Sequence, residues 1–487
     1  MTWLAAACVL AAIPAGLRLL RIAQREHYLP GEVTRFAVRW WRGTGVVNGV
    51  IDAIAMVGVV ISPMVPEAGF AVAVAQVGPI GLSVRGTTSP LAWTGRLRRL
   101  ALVSAVLTLA SMWLGVSIGQ AWLVVLPLFL LYTIIDLALW LLDPYETRAG
   151  GRWVDKAAAR LGAIGAEVVA ITGSYGKTTT KNYVAHLLTG ARRVVASPAS
   201  FNNRMGLARA INEYLTPGTE IFIAEMGTYG PGEIAELCEW IPPKVSAMVA
   251  IGPVHLERFK TIESIVEAKA EILDRAEVGV ICVDQPMLAR LAEERSQTMR
   301  IIPVSAADGI EVDGHKVMDV PGGVFGTNLA VALGICRALG VDLDLVMGRV
   351  STLPTPDHRQ SVSQAAGGFT IIDDTFNSNP AGAASALDLL LEKGAGGTTA
   401  VITPGMVELG PVQDEENRVF ADLAASLVDH LIIVGRTNRA ALLRGSANGE
   451  ASVTVVDSRG EAVDWVRATL GPGDAVLYEN DLPDHYP

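Results

Sequence analysis

The chain has 487 residues, 51% hydrophobic and only 18% charged, with a formal net charge of −10, where soluble proteins carry about 25% charged residues. The deficit is local: residues 1–142 hold ten basic residues, all arginine, and five acidic ones, whereas residues 143–487 hold 29 basic and 44 acidic. A single soluble domain and a disordered chain are both excluded. The acidic remainder has room for two domains at roughly 100–200 residues each, and its charge argues against a nucleic-acid partner.

Apolar runs at about 3–20, 46–62, 69–84, 100–117 and 121–142 predict an α-helical membrane region, 1–142, of about five spans. The third run is the shortest and contains Gly78 and Pro79. Arg21, Arg25, Arg35, Arg39 and Arg42 fall in the 21–45 connection, and Arg85, Arg96, Arg98 and Arg99 in the 85–99 connection. The 63–68 and 118–120 connections carry no basic residue. The positive-inside rule then puts the N-terminus outside and everything after 142 in the cytoplasm, at the plasma membrane. The arginines follow the first run rather than precede it, so it does not read as a cleaved signal peptide. Asp52 and Asp136 fall within predicted spans, where a carboxylate either serves a lipid or ion contact or simply lies near an interface or caps a neighbouring helix. Cys8, Cys238, Cys282 and Cys336 lie far apart with no CxxC pair, which excludes a zinc ribbon and a disulfide scaffold and suits buried thiols in a reducing compartment.

Residues 143–166 read as a linker (143–151) and a short helix. The apolar run 166–172 then reads as a buried strand that leads into Gly173-Ser-Tyr-Gly176-Lys177-Thr178-Thr179-Thr180 and on into a helical pattern. Strand, glycine-rich turn and helix are the context that a phosphate-binding loop requires. The glycines let backbone N–H groups approach phosphate oxygens, and the helix N-terminus adds partial positive charge. Lys177 is expected at the β- and γ-phosphates and Thr178 on Mg²⁺, with Thr179 in the same loop. Ile171 stands where the longer phosphate loop has its first glycine, so this loop is of a shorter form.

Farther on, Glu225 ends one predicted strand (219–224) and His255 follows another (245–251). In a parallel sheet both side chains emerge at the carboxyl edge, where ligands bind. They suit Mg²⁺ beside a triphosphate, although nitrogen is an unusual ligand for that ion. Lys269 lies on a predicted helix (262–273) with no carboxylate three or four residues away, which leaves it without an ordinary helical salt bridge.

The loop T-G-x-x-G-K-T-T-T resembles that of the Mur ligase family, the ATP-dependent amide ligases that build peptidoglycan stems. Ordered segments extend the resemblance over about 166–480. Ser200-Phe-Asn202-Asn203 is similar to the N-F-N-N of the branch that adds D-alanyl-D-alanine. Glu225-Met-Gly227 with Gly232-Glu233-Ile234 is similar to its E-x-G and GEI. Ala250-Ile-Gly-Pro-Val-His255-Leu-Glu257 and Glu267-Ala-Lys269-Ala-Glu271 are similar to N-I-G-x-x-H-L-E and A-K-x-E. Asp357-His-Arg359, Ile372-Asp-Asp374-Thr-Phe-Asn377-Ser-Asn379-Pro380 and Gly405-Met-Val-Glu408-Leu-Gly410 resemble motifs of the third domain.

The resemblance implies an α/β fold with a P-loop central domain, 167–350, and a Rossmann-like C-terminal domain, 355–487. The latter agrees with strands expected at 369–373, 399–403, 430–434, 453–456 and 475–478. It implies ATP and Mg²⁺ as cofactors, with Thr178, Glu225, His255 and Lys269 around the metal. Lys269 would be carbamylated, and its new carboxylate would help to hold a second Mg²⁺. Lys177, Lys269, His255, Arg359 and Asp374 would be the catalytic set, with Arg359 and Asp374 closing onto the nucleotide. Asn328 would meet adenine, and Asn202, Asn203, Asn377 and Asn379 would meet substrate.

Three departures from the family pattern bear on substrate. Around Gly322-Gly-Val-Phe325-Gly-Thr-Asn328 only the final asparagine of the adenine-side motif remains, and Phe325 is available either to stack on adenine or to pack in the core. The basic end of the last strand, K-G-S-R in the family, is replaced by Tyr478-Glu479-Asn480-Asp481 and an acidic, aromatic tail. This points either to a different, more cationic amine or to a solvated terminus. The five apolar runs stand where the family has its UDP-binding domain. The expected function is therefore a membrane-anchored amide ligase that joins a small-molecule or lipid-linked carboxylate acceptor to an amine donor on a cell-envelope precursor, with membrane lipid as a further partner. Arginine-rich connections are available for anionic headgroups, although topology alone also explains them. A conventional D-alanyl-D-alanine-adding ligase is the alternative within the class. An ATP-driven membrane transporter or regulator is the alternative outside it, disfavoured by the short loop and the D-D-x-F-N-x-N-P segment.

Overall fold

The computed structural model describes residues 1–487 apart from 44–45, 85–89, 199–200, 255, 320–325, 355–359, 377, 483–485 and 487, and apart from the side chains of 42, 43 and 257. The chain divides into two compact units. One comprises Met1–Ala149, Gly435–Thr437 and Asp481–Pro487, and the other Gly150–Val434 and Asn438–Asn480.

The first unit is helical: α1 (Thr2–Arg25), α2 (Glu32–Gly43), α3 (Val46–Ile61), α4 (Ala68–Ala75), α5 (Gly95–Ser117), α6 (Ala121–Phe129) and α7 (Leu131–Ile164), the last running on into the second unit. By length and composition α1 and α5, with 24 and 23 residues, can each cross a membrane. The bent pairs α2 with α3 (111°) and α6 with α7 (71°) would raise the number to four if each is one span. The helices thus offer two to four spans where the apolar runs predict about five. At four spans the difference lies in the third run, whose α4 has eight residues, too few to span alone. Gly78 and Pro79 follow it, and a residue before proline is pushed out of the helical region.

The 21–45 connection is not an open loop. The helix α2 buries Val33, Phe36, Ala37, Trp40 and Trp41 at i, i+3, i+4, i+7, i+8 spacing and leaves Arg35 exposed. Its first turn is capped by Asp136 of α7, whose Oδ2 accepts hydrogen bonds from the Thr34 N–H at 2.8 Å and the Thr34 hydroxyl. Of the two readings for Asp136, helix capping is the one the geometry supports. The segment 143–151, expected as a linker, is also helical, because α7 runs through Pro144 without a break. A bidentate pair between Arg99 of α5 and Glu146 of α7, at 2.7 and 2.8 Å, ties that stretch down.

The second unit holds two sheets. The first contains β1 (Glu167–Thr172), β2 (Val194–Ala196), β3 (Ile221–Glu225), β4 (Val245–Met248), β5 (Val278–Cys282), β6 (Arg300–Ser305), β7 (Ile310–Val312) and β8 (His315–Met318). Their order is β2-β3-β1-β4-β5-β6-β7-β8, parallel as far as β6 and antiparallel beyond it. The inner strands β1 and β3 are nearly continuous apolar runs, as expected where both faces are covered. Val168 and Ala170 pack with Phe222 and Ala224 on one face, while Val169 and Ile171 pack with Ile221 and Ile223 on the other. The register Val168↔Phe222 and Val169↔Ile223 sets that division.

The second sheet contains β9 (Ser361–Gln364), β10 (Thr370–Asp374), β11 (Thr399–Thr403), β12 (His430–Val434), β13 (Ser452–Val456) and β14 (Ala475–Glu479), in the order β13-β12-β11-β14-β10-β9. All pairs are parallel except that of the edge strand β9. The last strand of the chain, β14, is inserted between β10 and β11. All four cysteines are buried and unpaired. Burial pushes the thiols of Cys238, Cys282 and Cys336 up to about 12, so they remain protonated and unreactive at neutral pH.

Candidate nucleotide and metal site

The central strand β1 lies between β3 and β4, and the next strand in the chain, β2, lies beyond β3. The strand order therefore reverses at β1, and a crevice opens at its carboxyl end. Here the chain turns through Gly173 to Gly176 into α8 (Lys177–Leu187). Gly176 has φ = 79°, and a Cβ there would lie 2.2 Å from Asn328 Oδ1 and 2.7 Å from the Val249 side chain. Only glycine fits, on both conformational and steric grounds. The Ser174 N–H donates to the Ala250 carbonyl at 2.6 Å and its hydroxyl to the Gly252 carbonyl at 3.1 Å, which fixes the loop against the segment after β4. The Lys177 ammonium bends back over the loop to donate to the carbonyls of Gly173 (2.7 Å) and Ser174 (3.3 Å).

Glu225, at the end of β3, is the acidic centre of the site. Its Oε2 accepts from the Thr178 hydroxyl at 2.9 Å and the Lys181 ammonium at 3.0 Å, and its Oε1 from the Asn202 amide at 3.3 Å. Burial pushes this carboxyl up, but the charges of Lys181 and Lys177 together with the hydrogen bonds from Lys181 and Thr178 hold it below the ordinary carboxylate range. The neighbouring Asn203 is engaged locally, since its Oδ1 caps α9 (Arg204–Tyr214) by accepting from the Gly206 N–H at 2.9 Å.

Lys269 is 4% exposed on the helix Ile262–Ala270. Burial first, and then the charge of Lys177, hold its ammonium well below the ordinary lysine range. The nearby Glu271 does not pair with it. Instead it accepts from the Gly232 and Ala235 N–H groups at 2.7 and 3.0 Å and so caps α10 (Glu233–Trp240).

A cavity of about 250 Å³ opens beside the loop. Tyr175, Gly176, Thr179 and Asn328 line it from the first sheet's side, and Gln360, Asp374, Phe376, Ser378 and Asn379 from the second's. Asn328 accepts from the Thr180 hydroxyl at 3.2 Å, and Asp374, at the end of β10, from the Gln360 N–H at 3.2 Å. Asn379 lines the cavity and also caps the helix Pro380–Lys393 through the Gly382 N–H at 2.9 Å. The structure thus groups Gly173, Gly176, Lys177, Thr178, Glu225 and Asn202 in one cluster and Thr179, Asn328, Asp374 and Asn379 around one cavity. His255, Arg359, Asn377 and Phe325 lie outside the described residues.

Two polar residues escaped the sequence reading. Lys181 sits on the buried stripe of α8 with Thr180, Val184 and Leu187, and a lysine on an apolar stripe is itself the missed signal of a buried partner. Glu479 ends β14 at 0% exposure and receives the hydroxyls of Ser378 and Thr403, with the Thr403 oxygen in turn accepting the Gly405 N–H at 2.8 Å. Burial, more than those two hydroxyls can offset, raises its carboxyl above the ordinary range. Such a group stabilises the fold below its unfolded-state value, and that contribution is lost as pH rises through the folded-state value. The wild type should therefore lose stability relative to Glu479→Gln by up to about 1.4 kcal/mol per pH unit across that window. Urea midpoints of both proteins from mildly acidic to neutral pH check this, and parallel curves would refute it.

A search against known families matches the Mur ligase middle domain to residues 171–329 and the Mur ligase glutamate ligase domain to residues 358–478. The UDP-N-acetylmuramoyl-tripeptide-D-alanyl-D-alanine ligase of Mycobacterium leprae is 31% identical over 377 residues, covering 66% of this chain and 72% of that protein. This chain belongs to the Mur ligase family. It is an ATP-dependent carbon–nitrogen ligase that uses ATP and Mg²⁺. The MurF ligase of Thermotoga maritima, solved with ADP, is 26% identical with a TM-score of 0.57 and covers 68% of this chain and 80% of its own. MurF from Acinetobacter baumannii, 22% identical with a TM-score of 0.59, covers 68% and 77% and supports the fold alone.

The residues of this Mur ligase fit those cofactors. Among the described residues no group of three or more His, Cys, Asp or Glu could hold a metal by itself. Mg²⁺ does not require one, because it is commonly held by one or two carboxylates together with phosphate oxygens and water. The Thr178 hydroxyl and the Glu225 carboxylate, 2.9 Å apart beside a glycine loop no Cβ could enter, would supply the protein's share of such a site.

Proposed function

We propose that this Mur ligase is a membrane-anchored enzyme that joins a substrate carboxylate to an amine on a cell-wall precursor at the cytoplasmic face of the plasma membrane. In this reading 1–142 is the membrane anchor, 167–350 the nucleotide domain and 355–487 the closing domain. The carrying observation is the convergence of Lys177, Thr178 and Glu225 at the carboxyl edge of β1 and β3 in a chain that also has the apolar α1 and α5. The kinship with D-alanyl-D-alanine-adding ligases supports a peptidoglycan-type acceptor.

The chemistry proceeds in two steps. The substrate carboxylate attacks the γ-phosphorus of ATP and ADP leaves, giving an acyl phosphate. The amine nitrogen then attacks the acyl carbon, phosphate departs, and the amine loses a proton as the amide forms. Both steps gather negative charge. Lys177 and the N–H groups at the start of α8 would stabilise it. Bound Mg²⁺ supplies further charge neutralisation on the phosphates. Thr178 and Glu225 would orient the metal, Asn328 and Asp374 would hold the nucleotide, and the Asn202 amide would steady Glu225. His255, Arg359 and Asn377 take the roles that the family resemblance implies.

The 31% identical relative also favours a second reading, a conventional ligase of the soluble UDP-linked tripeptide. The two separate in one experiment. Purified protein in detergent is given ATP, Mg²⁺ and an amine with either a UDP-linked or a lipid-linked peptide acceptor, and ADP and amide are followed. Amide on the lipid-linked acceptor alone is the expected result. Full turnover of the UDP-linked tripeptide with D-alanyl-D-alanine would replace the first reading with the second.

A further inference from the structure

Lys181 takes no part in the chemistry set out above, yet with Glu225 it forms a buried pair. Its side chains are 2% and 4% exposed, and Lys181 Nζ stands 3.0 Å from Glu225 Oε2. That oxygen is also the one the Thr178 hydroxyl reaches at 2.9 Å, while Asn202 holds Oε1 at 3.3 Å. The carboxylate is thus pinned at both oxygens, with the ammonium on the side it shares with Thr178. A carboxylate buried this deeply needs a counter-charge, and at this burial two cations drawn to one oxygen repel each other with little screening.

We propose that Lys181 is a resident counter-charge that keeps the Glu225 carboxylate aimed at Thr178 before the nucleotide arrives, and that it competes with Mg²⁺ for Oε2. This rests on the reading of Thr178 and Glu225 as the protein's share of the metal site. Lys181 is then a positioning residue. It contributes order to the metal-free site and sets the Mg²⁺ affinity lower than Glu225 alone would give, which helps the metal–ADP product to leave.

The test follows thermal stability of the full chain in detergent, at saturating ADP, as Mg²⁺ is titrated. Lys181→Met should lower the Tm without Mg²⁺ and reduce the Mg²⁺ concentration at half-effect by at least about fivefold. An unchanged or higher Mg²⁺ midpoint overturns the proposal. Glu225→Gln isolates the underlying reading: it should weaken the Mg²⁺ response, and an unaltered response means that Glu225 is not at the metal. A weakened response in Glu225→Gln beside an unchanged midpoint in Lys181→Met rejects the counter-charge alone. Should Lys181→Met fail to fold, the Lys181→Met/Glu225→Gln double variant is compared with Glu225→Gln. Removing both charges should raise the Tm above that of the single variant, and an equal or lower Tm overturns the proposal.

Discussion

Lys177→Met should lower ADP release about 10²- to 10³-fold at saturating ATP while leaving the protein folded. Lys177 is the first residue of α8, and its ammonium lies over the mouth of the loop, where it donates to the carbonyls of Gly173 and Ser174. Charge that develops on a transferring phosphoryl group at this mouth would draw the ammonium off those carbonyls. The contact would strengthen as the reaction proceeds, which lowers the barrier rather than merely binding substrate. Lys177 is half-buried, so the methionine keeps most of the packing, and the stability change should stay within about 1 kcal/mol. Initial rates of ADP release and a thermal melt measure the two effects. Activity within tenfold of wild type would refute the assignment, and a collapsed melt would show that Lys177 is needed for folding.

The phosphate loop was legible because its determinants are contiguous: an apolar strand, two glycines at fixed offsets and a helix start. Lys181 and Glu479 were not, because their partners are remote. Lys181 meets Glu225 across 44 positions, and Glu479 meets Ser378 and Thr403 across 101 and 76. Only the sheet order, with β3 beside β1 and β14 inserted between β10 and β11, brings them together. Asn203 and Asn379 carry a further role that the resemblance did not suggest: each side-chain oxygen caps a helix, and Pro380 at the first helical position after Asn379 is a local cue to that role.

Apolar run length counts residues but not bends: 69–84 holds an eight-residue helix, and 121–142 bends by 71° between α6 and α7, a pair that can still be one span. The segment 143–151, expected as a linker, is helical within α7, and Glu146 on that stretch pairs with Arg99 of α5. Strand positions fared better, since buried parallel strands are short apolar runs bounded by turns, and the five expected after 355 lie in β10 to β14.

Lys269 carries the other large effect, with activity and stability moving in opposite directions. The family resemblance implies a carbamate, formed when the Nζ lone pair attacks the carbon of dissolved CO₂, an N–C bond forms, one C–O π bond becomes a carboxylate oxygen and the nitrogen releases a proton. Only the neutral amine reacts. Burial and then the Lys177 charge hold this ammonium well below the ordinary range, so the neutral amine is available where an exposed lysine would be protonated. The sign follows for pH: acidification through the depressed value protonates Lys269 and should lower both carbamate and activity, and raising the pH restores them. Incubation with ¹³C-bicarbonate should give a carbamate signal that is absent from Lys269→Met, and CO₂-free buffer should slow the wild type. Lys269→Met should reduce activity about 10²-fold or more, since the resemblance implies that it would remove a group on the metal itself rather than one behind a ligand. The same substitution replaces a buried amine with an apolar chain of similar length, so metal-free stability should hold or rise by about 1 kcal/mol. Full wild-type activity without CO₂, together with no ¹³C signal, would reject the carbamate and leave Lys269 as a buried amine whose ammonium form is disfavoured by burial and Lys177.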